Sequence, residues 1–133
     1  MIIKGTLIII IFSLVFSYIR CLLQLNVSST ENINQGINHN YIKIILPLLI
    51  SPILEEFIFR KWLPFVFEDV LGKKIAIFFS NLLFAILHFD IFFIPFLVNG
   101  LVYSYFYEIT KDIRIIIIIH MFYNMFVFLS TFE

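Results

Sequence analysis

Cysteine occurs once in the 133-residue chain, and charged residues make up only 14% of it. The single Cys21 excludes an intrachain disulfide and a cysteine-based metal cluster, and reads as a small apolar residue in a helix. The scarcity of charge sets the chain apart from ordinary soluble domains, in which about 25% of residues are charged. Nine Lys and Arg balance nine Asp and Glu, and no run of basic residues forms a phosphate-binding patch, which excludes nucleic acid as a partner. The N-terminal apolar run lacks a small-x-small cleavage site before Asn26 and is too long for a signal-peptide core, so it reads as a retained first span. No internal repeat is visible.

What fills the chain instead is hydrocarbon. Hydrophobic residues make up 62% of it, with a mean hydropathy of +1.04. A water-soluble core built from so short a chain would leave a large apolar surplus on its surface, because small domains have a high ratio of surface to volume. The solvent is therefore the lipid bilayer. With about 20 apolar residues needed per crossing, the sequence predicts an all-α, polytopic transmembrane helix bundle of about five spans. They fall near residues 7–25, 41–67, 75–88 (extending toward 93), 95–109 and 113–132.

Lysine and arginine set the orientation. Lys4, then Lys61, Lys73 and Lys74, then Lys111 and Arg114, fall at alternate boundaries, whereas the polar loop NVSSTENINQGINHN and the segment around Asp90 carry none. This places the N-terminus in the cytoplasm and the 26–40 loop outside, in a multi-pass protein of the cell membrane. Arg20 and Lys43 sit near the outer face, against the trend. The chain divides into an N-terminal helix with its external loop (1–40) and a core domain (41–133).

Inside the spans a few polar residues remain: Glu55, Glu56, Arg60, His88, Asn99, Glu108, His120 and Asn124. An ionisable group at mid-membrane costs at least about 2.5–3.5 kcal/mol, so such groups usually face a bundle interior and serve a function. Glu56 and Arg60, at i and i+4, are spaced for an intrahelical ion pair, while Glu55 points about 100° away and lacks that partner. A carboxylate left unpaired in an apolar site is suited to act as a general base. The alternative is that Glu55, Glu56 and Arg60 form a structural charge cluster between helices. In HMFYN, His120 and Asn124 are again four apart. Asn124 either orients the imidazole or joins it in donating to an oxyanion.

Together EEFIFR, FAILH and HMFYN resemble three ordered motifs, E-E-x-x-x-R, F-x-x-x-H and H-x-x-x-[ND]. These belong to the CAAX-protease and bacteriocin-processing family of intramembrane proteases, also called the abortive-infection family. The resemblance extends over about residues 45–128 and includes NGLVYSYFYEITKDIRIIIIIHMFYN, similar to that family's last two helices. It implies that Glu55, assisted by His88, activates water, that His120 and Asn124 stabilise the tetrahedral oxyanion, and that Glu56 and Arg60 brace the site. The implied activity is endopeptidase cleavage of a peptide or membrane-protein substrate, in bacteriocin self-immunity or peptide maturation. A non-catalytic bacteriocin-binding immunity protein is the alternative. Two chemistries stay open. Glu55, His88 and His120 are ligand types that zinc accepts, yet no H-E-x-x-H is present, and a Glu–His pair activates water without a metal.

Overall fold

A backbone in lipid must satisfy its own hydrogen bonds, so apolar runs of this length can only become helices or closed barrels. In the computed structural model, which describes residues 1–25 and 44–130, they become five helices. These are α1 (Ile2–Leu22), α2 (46–71), α3 (Lys73–Ile86), α4 (Ile94–Thr110) and α5 (Ile113–Ser130). The 26–40 loop, Lys43 and the last predicted residues of the fifth span lie outside the described residues.

The second helix is unusual. It winds as π-helix over Leu46–Ile50, as α-helix over Ser51–Glu56, as π-helix again over Phe57–Trp62, and as α-helix over Leu63–Leu71. Prolines 47, 52 and 64 each sit in the first two positions of a segment, where a missing N–H and a clash with the preceding turn are absorbed by changing the winding. The i→i+5 register is explicit at both π segments: Ser51 N–H bonds Leu46 O, and Leu63 N–H bonds Ile58 O. Gly72 ends the helix with φ 75° and ψ 152°, a conformation open essentially to glycine alone, and so turns the chain into α3.

The third helix stops at Ile86, short of the predicted extension toward Phe93, and His88 lies in the turn beyond it. The reason is local. Phe89 takes a positive φ of 53°, and the Asp90 carboxylate accepts the Phe92 N–H at 2.9 Å, a side-chain bond that competes with helix propagation.

Packing turns the usual arrangement of a protein inside out. Ile9 of α1, Tyr103 and Phe106 of α4, and Ile116 and Ile119 of α5 form a buried apolar cluster. Beside it, Glu56, Arg60, Ser80, Asn81, Asn99, Ser104 and His120 are also buried, while Ile, Leu and Phe side chains crowd the outer surface. Helices α1 and α5 are each long and apolar enough to cross a membrane. Polar groups inside and hydrocarbon outside define a helical membrane protein.

Gly100 allows α4 to close on α3. A Cβ there would stand 2.7 Å from Asn81 Oδ1 and 3.2 Å from Phe84 Cδ1. The Asn81 amide cannot swing away freely, because its Nδ2 donates to both Ile77 O and Ser104 Oγ at 2.8 Å. Gly100→Ala is therefore expected to destabilise the bundle by about 1–3 kcal/mol, the usual cost of overpacking. Thermal unfolding in detergent measures it, and an unchanged midpoint would show that the contact yields.

Candidate active site

The Glu55-Glu56 pair sits where α2 passes from α to π winding, and the site is assembled around it. Glu56 and Arg60 form the expected i,i+4 ion pair, with Oε2 and Nε 3.0 Å apart and both side chains 0% exposed. The guanidinium also lies over two aromatic faces, 4.7 Å from the Phe84 ring centroid and 5.6 Å from that of Tyr103. Cation–π attraction of this kind offsets part of the desolvation of a buried cation.

The other oxygen of Glu56 meets His120 of α5. Nδ1 lies 2.7 Å from Glu56 Oε1, and the imidazole stacks on Tyr103 at 4.8 Å. Paired with Arg60, the carboxylate accepts and the Nδ1–H donates. The other ring nitrogen, Nε2, faces Glu55 Oε2 at 3.8 Å. That separation is too long for a hydrogen bond but close enough for proton exchange through one water or a small side-chain shift. The sequence reading put Glu55 alone against the histidines and Glu56 only against Arg60. In the structure Glu56 makes the short bond to His120, and Glu55, with its side chain 30% exposed, borders the open side.

His88 completes the opposite wall. Its Nδ1–H donates to Phe84 O at 2.8 Å, and its ring stacks on Phe96 at 4.1 Å. Phe84 packs edge-on against both His88 (4.7 Å) and His120 (6.3 Å), so the two imidazoles flank one ring. His88 lies within electrostatic range of Glu55, His120 and Arg60.

Asn124 has a different partner from the one its spacing suggested. Its Nδ2 donates to Pro47 O at 2.9 Å. In the π register that carbonyl would accept from residue 52, but Pro52 has no N–H, and Asn124 supplies the missing donor. Orientation of the His120 ring falls to Glu56, not to Asn124.

Sequence reasoning missed the buried polar floor of Ser80, Asn81 and Ser104. Ser80 Oγ donates to Phe59 O at 2.6 Å and so ties α3 to the π segment of α2. The adjacent Ser80-Asn81 inside an apolar run was a readable signal. Glu108, counted among the polar residues inside the spans, instead closes the rim between Lys73 and Lys111, with the Lys111 Nζ contact at 2.7 Å. The hydrogen bond to Glu108 and its charge hold the Lys73 ammonium above the usual lysine range. A cavity of about 430 Å³ opens beside this rim, with Lys61, Glu68 and Tyr107 on its walls, and reaches Arg60.

Among the described residues no three His, Cys, Asp or Glu side chains converge in a geometry that holds a metal ion. Both imidazoles spend Nδ1 within the protein, His120 on Glu56 and His88 on Phe84 O, an arrangement that orients the rings and that histidines ligating a metal through Nε2 also show.

Comparison with known proteins bears on the same residues. The membrane-embedded CAAX protease MroQ of Staphylococcus aureus (strain USA300) is 40% identical over 86 residues, which are 59% of this chain and 35% of MroQ. The match thus takes in about a third of that relative's length. No solved structure matches. The model of the family described as type II CAAX prenyl endopeptidase Rce1-like matches residues 37–126, an interval that includes the carboxylate pair, Arg60, both site histidines and Asn124 and leaves α1 outside. By that match, over well more than half its length, the chain belongs to the Rce1-like family of type II CAAX prenyl endopeptidases.

Proposed function

We propose that this chain is an intramembrane endopeptidase of glutamic type, a multi-pass protein with its N-terminus in the cytoplasm, acting on a peptide or membrane-protein substrate. The observation that carries the reading is the placing of one imidazole between two carboxylates, 2.7 Å from Glu56 and 3.8 Å from Glu55. Glu55, assisted by His88, takes a proton from water as the oxygen adds to the scissile carbonyl carbon. The negative charge then appears on the carbonyl oxygen, where the Nε2–H of protonated His120 and the second amide hydrogen of Asn124 donate to it. Collapse of the tetrahedral intermediate breaks the C–N bond, and Glu55 returns the proton to the leaving amine. Glu56 and Arg60 keep His120 in the orientation that this requires. In the cell, the roles that suit such an activity are bacteriocin self-immunity and peptide maturation.

The test is cleavage of a pool of quenched fluorogenic, membrane-anchored peptides by the full chain reconstituted in liposomes. Hydrolysis is expected, with a rate unchanged by 1,10-phenanthroline because every donor in the proposed mechanism belongs to the protein. A loss of activity with the chelator that added zinc reverses would overturn the metal-free mechanism. Absence of cleavage across the pool, with His120→Ala indistinguishable from wild type, would count against the protease reading itself.

A further inference from the structure

The outer end of α1 grips the turn that carries His88. Arg20 Nη2 donates to both carboxylate oxygens of Asp90 at 2.8 Å, and the Asp90 side chain is only 6% exposed. Asp90 Oδ1 also accepts the Phe92 N–H. Phe92 in turn lies under the Arg20 guanidinium at 5.4 Å and meets Phe16 of α1 edge-on at 6.1 Å. Phe89 and Ile91 point outward and are 84% and 90% exposed. The segment after α3 is therefore held from its inner side, by Asp90 and Phe92, and both touch α1. Helix α5 is tied to the same helix through Ser13 and Tyr123, 3.1 Å apart.

We infer that Arg20 is a positioning residue, which through Asp90 fixes the 87–92 turn and thereby sets where the His88 imidazole stands against Glu55. Arg20 lies outside the family match of residues 37–126, so this chain's own N-terminal helix supplies the support. Removing Arg20 leaves a nearly buried carboxylate without its cation, and the turn must move to bring Asp90 to water. His88 is two residues away and moves with it. A misplacement of about 1 Å at a catalytic group costs up to about 10²-fold in rate. The inference rests on the reading of His88 as partner to the general base.

The experiment uses the full chain in nanodiscs with ¹⁵N-labelled histidine. The chain has three histidines, His39, His88 and His120, assigned by single substitution. In Arg20→Ala and in Asp90→Asn, which retains an acceptor for Phe92, the His88 imidazole signals are expected to shift and to titrate differently. Those of His120 should hold, and Arg20→Lys should recover most of the wild-type spectrum. In the peptide-cleavage assay, Arg20→Ala should lower kcat about 10- to 100-fold with little change in KM. An unmoved His88 in Arg20→Ala, or His88 and His120 shifting together as in general loosening, would overturn the inference. If His88 responds but the wild-type chain cleaves nothing, the grip of α1 on the turn stands and the protease reading falls.

Discussion

Glu56→Ala is expected to lose about 3–5 kcal/mol of stability, the usual result of removing one member of a buried ion pair. Glu56 is fully buried, and its two oxygens serve Arg60 at 3.0 Å and His120 at 2.7 Å. Truncation leaves a guanidinium walled in by Phe84 and Tyr103 without a counter-charge, and frees the imidazole that Glu56 orients. Water cannot take the place of the carboxylate without opening the interface between α2 and α5. Removing both charges, in Glu56→Leu with Arg60→Met, deletes the desolvation problem along with the attraction, and should recover most of the loss. Unfolding of the purified chain in mixed detergent measures both variants. If Glu56→Ala costs less than about 1 kcal/mol, or the double variant is no better than the single one, the pair does not hold the bundle together.

Glu55→Gln should do the reverse. Its side chain is partly exposed and, among the described residues, its charged neighbour is His120 at 3.8 Å, so stability should stay within about 0.5 kcal/mol of wild type. The amide keeps the shape but cannot accept the proton of water, and hydrolysis should fall by about 10²–10⁴-fold. Two adjacent glutamates would then separate cleanly, one governing folding and the other chemistry. Should Glu55→Gln cells process peptide or resist a bacteriocin as well as wild type, the protease reading would be wrong, and a non-catalytic immunity protein would take its place.

Hydropathy located the helices because a 20-residue apolar run has few alternatives in lipid. The Glu56–Arg60 pair was legible because both residues lie on one helix, where spacing alone fixes proximity. Which glutamate His120 would meet was not legible, since that depends on how α5 lies against α2 and on a π-wound stretch that shifts the faces of α2. Asn124 shows the same limit: its spacing to His120 was visible, but the vacant acceptor at Pro47 belongs to another helix, 77 residues away. Arg20 read as an exception to the charge rule until Asp90, on the turn after α3, gave it a partner.

The placing of Glu56 and Arg60 on a single helix also bears on how the protein is made. A segment handed to the bilayer before the later helices are synthesised has no His120 and no Tyr103 to receive its charges. Because the counter-ion of Glu56 lies one turn further along the same segment, α2 carries the neutralisation of that one charge with it into the bilayer. The Pro47 carbonyl is different, for its donor arrives only with α5. Until then that carbonyl is one unmet demand in the inserted chain, and meeting it is something the last helix contributes when assembly closes.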